Sequence, residues 1–271
     1  MPADGVMGNY YQALLQTAGV TLTESTESSP AVAENVLDWA HPAKYWMTTG
    51  TGSDGTLVFD MGASPPSYVG LYIARLNVTG GVRLQANATN TWGSPSIDNA
   101  LTLTTDSFVN RTQGIFFFNT DRSAITHRYC RLKIAAGTGV TDSASGYKVG
   151  LALPLVSPVE VTNRPQFRLF VRRAMARASF PGGERQIAAL SVRQAVLEMP
   201  WDWMWDPTSN AVTNEESTML SLAQDEDDPV VVCRNLNKPY QAYLCLREGE
   251  ISLDSSEGIG ANFPLRMVEI L

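Results

Sequence analysis

Leu57-Val58-Phe59-Asp60-Met61, Val69-Gly70-Leu71-Tyr72-Ile73-Ala74 and Val82-Arg83-Leu84-Gln85-Ala86 decide the fold. In each run one parity is apolar: Leu57, Phe59 and Met61; Val69, Leu71 and Ile73; Val82, Leu84 and Ala86. Successive side chains of a strand point to opposite faces, so a period of two sets these residues on one buried face. Each run ends at Gly, Pro, Asn or Ser, residues that turn a chain. Working outward, Leu101–Leu103, Ile115–Phe118, Cys130–Ile134 and Val149–Leu153 read as further strands, with Cys130, Leu132 and Ile134 facing in and Tyr129, Arg131 and Lys133 facing out. Short strands with one wet face predict an antiparallel sandwich, not a parallel sheet buried on both sides.

The composition agrees. The 271 residues are 44% hydrophobic and 17% charged, with 21 Gly and 15 Pro, a balance that favours strands joined by turns over helix-rich classes. A net charge of −7 argues against a nucleic-acid binder, and no stretch reaches the roughly 18 apolar residues of a spanning helix. The start, Met1-Pro2-Ala3-Asp4-Gly5, lacks the basic and apolar regions of a signal peptide. Without such a signal, the Asn-x-Thr sequons at Asn77, Asn87 and Asn110 carry no weight.

Met7, Tyr10, Tyr11, Leu14, Leu15 and Ala18 recur every three or four residues, which predicts a helix over Val6–Ala18 ended by Gly19. The polar run Thr21–Pro30 makes that helix an arm, residues 1–30, and Tyr10, Tyr11 and Leu14 are its candidate subunit contacts. Pro154, Pro158 and Pro165 suggest a boundary, giving a sandwich over 31–155 and a smaller β-rich (α+β) domain over 160–271. Within the latter, Phe167, Leu169 and Val171 alternate as a strand, and Val192, Ala195, Val196 and Met199 fit a short helix stopped by Pro200. Thr213 and Glu216 form a capping box before a second short helix over Met219–Ala223. Val230–Cys233, Tyr240–Leu246, Ile251–Leu253 and Leu265–Ile270 read as strands.

The chemistry-bearing candidates are few. Gly50-Thr51-Gly52-Ser53-Asp54-Gly55 is a literal GxGxxG, but a strand pattern follows it where a dinucleotide site needs a helix, so it reads as a turn. His41 and His127 have no partner nearby in sequence, and no paired catalytic carboxylates can be picked out. Asp60, at a strand end before Gly62, suits capping of turn amides. Asp225-Glu226-Asp227-Asp228 lacks the ligand alternation of a calcium loop, and Cys130, Cys233 and Cys245 lack metal-ligand spacing. Trp201, Trp203 and Trp205 line one side of an extended segment and suit a core, a subunit interface or a ligand platform. The sequence therefore predicts no enzyme, no cofactor and no metal.

Ala33–Asp38, Tyr45-Trp46-Met47-Thr48, Leu57–Gly62 and Val69–Asn77 follow an order that resembles the galactose-binding-like jelly rolls carried by tail and virion structural proteins of tailed bacteriophages. Leu14–Thr23 is similar to the lead-in of those proteins, and Phe263–Leu271 to closing strands of tail-hub domains. The resemblance implies that Trp46, Phe59 and Asp60 hold the sandwich together. It also implies a non-enzymatic structural component of the virion, made in the bacterial host cytoplasm and placed at the tail tip or baseplate. Such a distal-tail, hub-like protein would form a homo-oligomeric ring of three- or sixfold symmetry with other virion tail proteins. The alternative is a carbohydrate-binding module for host surface glycans, with Trp92 and Asn77 as candidate ligand residues.

Overall fold

The computed structural model describes residues 8–13, 20–41, 43–161, 168–179, 185–203, 229–233, 238–247 and 261–270. Its strands begin with β1 (Gly8–Ala13) and β2 (Thr21–Glu24) and continue, after a 3-10 turn over Ala33–Leu37, with β3 (Trp46–Met47), β4 (Gly55–Asp60) and β5 (Tyr68–Ala74). Next come β6 (Val82–Asn87), β7 (Ile97–Ala100), β8 (Thr105–Asp106), β9 (Arg111–Phe117), β10 (Tyr129–Ile134) and β11 (Lys148–Val149). The chain then forms β12 (Leu151–Val161), β13 (Arg168–Ser179), β14 (Arg185–Trp203), β15 (Val230–Cys233), β16 (Ala242–Arg247) and β17 (Ala261–Glu269). They assemble as a five-stranded sheet, β2-β4-β10-β6-β7, a ten-stranded sheet, β13-β14-β17-β16-β15-β1-β12-β5-β9-β8, and the pair β11-β3. Among the described residues all of the pairings are antiparallel, and the mainly β, jelly-roll sandwich class expected from the sequence is the one observed.

The sandwich core lies between the five-stranded sheet and the β12-β5-β9 part of the large one. Leu57 and Phe59 of β4, Leu84 and Ala86 of β6, and Cys130, Leu132 and Ile134 of β10 meet Leu71 and Ile73 of β5 and Ala152 of β12. The alternation along β10 follows the predicted pattern, with its odd-numbered residues half-buried. β5 differs. All seven of its residues are buried, because its second face packs Val69, Tyr72 and Ala74 against Val231 and Cys233 of β15 and Ala242 and Leu244 of β16. The large sheet curls to do this: Ile115 N–H donates to Pro239 O at 3.1 Å and Gln113 Nε2 to Ala242 O at 2.8 Å, joining its two arms across a second core. Gly70 fits where β5 passes β9, since a Cβ there would strike the Phe116 carbonyl.

Two expected helices are strands. The N-terminal segment expected as a helix over Val6–Ala18 holds β1, whose Asn9–Gln12 pair with Val230–Cys233 on one side and whose Gly8–Ala13 pair with Leu155–Val161 on the other. A ladder on both edges overrides the helical spacing, as sheet pairing commonly overrides local propensity. Tyr10 and Tyr11 thus belong to an interior strand, not to an arm, and Leu14 lies outside the described residues. The segment Val192–Met199, expected as a helix, is part of β14, which pairs with β13 and β17. Strand β12 crosses the segment of Pro154 and Pro158 as one element, pairing with β5 and then with β1. The expected strand at Leu101–Leu103 falls one step earlier, as β7. The expected helix at Met219–Ala223, the strand at Ile251–Leu253, the acidic run and Trp205 lie outside the described residues.

Trp46 is 1% exposed, and its Nε1 donates to Thr26 O at 3.1 Å; Phe59 is fully buried. Asp60 ends β4 by accepting the Gly62 N–H at 2.9 Å on Oδ1 and the Arg128 guanidinium at 2.8 Å on both oxygens. Arg128, aided by Gly62 and opposed by partial burial, holds the Asp60 carboxyl below its ordinary value of 3.8. A carboxyl whose folded value lies below its unfolded one adds stability above the unfolded value and loses it as pH falls through the folded one. Asp60→Asn is therefore expected to lower the melting temperature at neutral pH and to match the wild type in strong acid. A constant gap from pH 7 to pH 2 by calorimetry would show that the carboxylate charge does not contribute.

Candidate functional site

The glycine-rich segment is a turn. Gly55 opens β4, Thr48 Oγ1 donates to Gly50 O at 2.7 Å, and Tyr147 OH donates to Thr51 O at 2.9 Å. His41, expected to lack a local partner, pairs at the surface with Asp38 three residues earlier at 2.9 Å, and the His127 carbonyl accepts the Tyr68 hydroxyl at 2.7 Å. Cys130, Cys233 and Cys245 are buried and joined in no disulfide, and burial pushes the thiols of Cys130 and Cys245 up, away from reactivity. Among the described residues no group of three His, Cys, Asp or Glu side chains is placed to hold a metal ion, and no helix is long and apolar enough to cross a membrane.

Trp92 and Asn77 occupy different settings. Trp92 is half-buried, with Arg131 stacked 4.3 Å from its ring centre and its Nε1 donating to Asn90 Oδ1 at 2.7 Å. Arg131 in turn is held by Gln85, and Gln85 by Asp98, so one face of the indole is taken by a network on the outer side of the small sheet. Asn77 is 5% exposed and structural in its contacts. Its amide hydrogens go to Asp142 Oδ1 and Gly146 O, both at 3.0 Å, while its Oδ1 accepts the Lys148 N–H at 2.7 Å. That use of every amide hydrogen makes Asn77 the pin of the 141–148 loop. Trp201 and Trp203 stand in β14 opposite Phe263 and Ala261.

Asn77 sits in the wall of a cleft of about 630 Å³ at the end of the sandwich. Four stretches supply its chemistry: Tyr45 ahead of β3, Arg75 just past β5, Asn110-Arg111-Thr112 entering β9, and Asp142 with Lys148 around β11. Tyr45 is 37% exposed, and Lys148 Nζ lies 5.2 Å from its ring centre. Lys148 also binds Asp142 at 3.0 Å. Arg111 is anchored from behind by Glu269, Nη2 to Oε2 at 2.7 Å.

Arg75 is the unusual member. It leaves β5 with φ 60°, a left-handed backbone that costs a non-glycine residue about 1–3 kcal/mol and tends to persist where a site requires it. The turn keeps the guanidinium in the cleft. Its Nη2 donates to the Lys44 carbonyl at 3.4 Å. The side chain lies against Gly150, where an added Cβ would stand 2.8 Å from Arg75 Cβ and Cζ. Burial, with Arg111 beside it, pulls the Arg75 guanidinium below its ordinary value, while Tyr72 and Glu269 oppose that pull.

The arrangement offers a stacking ring, three cations and hydrogen-bonding side chains around a space suited to a small ligand. Its members lie far apart in sequence and carry no motif. Of them the sequence singles out only Asn77 as a candidate ligand residue. The one local signal is an arginine closing the otherwise apolar run Val69–Ala74.

No family model matches the chain, and no curated protein matches it. Among solved structures it is similar to CBM32-1 from a family 31 glycoside hydrolase from Clostridium perfringens, at 11% identity over 51% of this chain and 94% of that one, with a TM-score of 0.36. It is similar to the CBM32 of AlyQ in complex with 4,5-unsaturated mannuronic acid, at 17% identity over 54% and 96% of the two chains, with a TM-score of 0.36. It is also similar to reduced XRCC1 bound to the DNA pol beta catalytic domain, at 14% identity over 50% and 94%, with a TM-score of 0.33.

Proposed function

We propose that the protein is a non-catalytic saccharide-binding module and that the cleft between Tyr45, Arg75 and Lys148 is its ligand site. The observation that carries this reading is the exposed Tyr45 ring beside a wall of hydrogen-bonding groups, Thr105, Asn110, Thr112 and Thr141. A sugar presents an apolar face that stacks on an aromatic ring and an edge of hydroxyls that exchange hydrogen bonds, and this wall offers both. Hydrolysis of a glycosidic bond takes two carboxyl groups flanking it. Among the described residues lining the cleft Asp142 is the one carboxylate, and it is held by Asn77 and Lys148. Tyr45→Ala is expected to weaken saccharide binding about tenfold, the equivalent of roughly 1.4 kcal/mol of lost stacking, with the melting temperature unchanged. Glycan-array screening followed by titration calorimetry checks this; no binding to any saccharide, or binding indifferent to Tyr45→Ala, overturns it.

A second reading, assembly into a homo-oligomeric ring in a phage tail, is favoured by β13. Among the described residues this 12-residue strand pairs on one side alone, leaving an edge that another copy of the chain can extend. Light scattering on the purified chain decides it, since a monomer at high micromolar concentration removes the ring.

A further inference from the structure

Resting on the saccharide reading, the placement of Arg75 narrows the class of sugar. Among the described residues, three cationic side chains, Arg75, Arg111 and Lys148, line the cleft against a single carboxylate, Asp142, on a chain whose acidic residues outnumber its basic ones by 27 to 20. The positive charge is therefore local and opposite in sign to the whole. Two of the three cations are answered: Lys148 by Asp142 at 3.0 Å and Arg111 by Glu269 at 2.7 Å. Arg75 is not. Among the described residues no carboxylate pairs with it, and its hydrogen bond is a long one to a backbone carbonyl, Lys44 O at 3.4 Å.

A half-buried guanidinium without a counter-ion is a costly arrangement, because the charge has lost water and gained little in return. Here the chain maintains it by design of its surroundings. The backbone at Arg75 takes a left-handed turn, and position 150 is a glycine whose missing side chain leaves the room in which the guanidinium lies. The planar fork of an arginine matches the two oxygens of a carboxylate, and a bidentate pair of that kind both neutralises the cation and fixes the orientation of what carries it.

We infer that the cleft takes an acidic saccharide and that Arg75 seats its carboxylate, with the Tyr45 ring stacking on the sugar. Lys148 and Arg111 add to the positive potential around that seat, so binding weakens as salt is raised.

The test is titration of the full chain with two acidic probes, tri-galacturonate and sialyllactose, each against a neutral counterpart, its methyl ester and, for the second, lactose. The expected result is binding of at least one acidic probe, loss of at least tenfold in affinity on esterification, and a loss of similar size in Arg75→Gln. Arg75→Lys keeps the charge and loses the fork, so it is expected to recover only part of that loss. Gly150→Ala, which crowds the guanidinium, weakens the acidic probe and spares any neutral one. Melting temperatures within about 2 °C of the wild type show that a variant has folded. Equal or tighter binding of the neutral sugars overturns the inference and leaves the saccharide reading standing. Equal binding of a sulfated sugar overturns the assignment to a carboxylate, and absence of binding to every saccharide overturns both readings.

Discussion

Deleting residues 1–20 is expected to abolish the folding of the curled part of the large sheet while leaving the sandwich compact. Strand β1 runs between β12 and β15, paired along Gly8–Ala13 on one edge and Asn9–Gln12 on the other. Each ladder hydrogen bond is worth about 1 kcal/mol net, and several are lost on each side, against a total stability on the order of 5–15 kcal/mol for a domain. The loss is not confined to the backbone. Val230, Val231, Val232 and Cys233 are all buried, and without β1 this strand loses one of its two neighbours in the sheet. The sandwich core draws mainly on β4, β5, β6 and β10, none of which pairs with β1, and its β12 residue, Ala152, stands in the part of β12 that pairs with β5, so the core keeps its own packing. Hydrogen exchange reads the result: amides of 230–233 become fast in the truncated chain and those of 130–134 stay slow. A truncated chain with wild-type protection at 230–233 would restore the picture of a dispensable arm.

That expectation inverts what the N-terminal sequence suggests, and the reason is physical. Tyr10, Tyr11, Leu14 and Leu15 satisfy a helical spacing, and a short apolar run of this kind fits strand and helix alike until its partners are known. The partners of β1 are more than a hundred residues away, at Leu155–Val161 and Val230–Cys233. The same holds for Val196, which fits a helix in isolation and stands opposite Phe170 and Val268 in the sheet. Where one face of a strand is wet, the sequence is legible: Tyr129, Arg131 and Lys133 alternate with three buried residues in β10, as expected. Where both faces are buried, alternation ceases to inform. Val69, Tyr72 and Ala74 fill a second core that the sandwich reading did not contain, and the apolar character of every position from 68 to 74 was its trace. The cleft was the least legible part. Its residues converge from segments around 45, 75, 111, 142 and 148, and only the closure of β3, β5, β9 and β11 at one end brings them together.

Glu269→Ala is expected to destabilise the protein by about 3–5 kcal/mol, because it breaks a buried ion pair from one side and leaves the other charge behind. Glu269 is 2% exposed and its Oε2 accepts from Arg111 Nη2 at 2.7 Å and from the Ala195 N–H at 2.8 Å. The pair ties β9 to β14 and β17, and Tyr243 OH to Asp106 Oδ2 at 2.6 Å makes a second tie between β16 and β8. These contacts hold the curled sheet closed over Tyr72, Ile115 and Leu244. Burial lifts the Glu269 carboxyl above its ordinary value of 4.5, against the pull of Arg111 and of the Ala195 N–H. A carboxyl raised on folding contributes most below its unfolded value and loses that contribution as pH rises through the folded one, the opposite sense to Asp60. Glu269→Gln keeps the shape and an acceptor but not the charge, so its deficit is expected to be smaller than that of the alanine variant and to narrow from acid towards neutral pH. Because Arg111 lines the cleft, both variants also loosen one of its cationic walls and should weaken binding of an acidic sugar at a temperature where the chain is still folded. Denaturant unfolding at pH 5 and pH 7 measures the first effect and calorimetric titration the second. An alanine variant within 1 kcal/mol of the wild type would mean that Arg111 finds other partners and that the pair is not what closes the sheet.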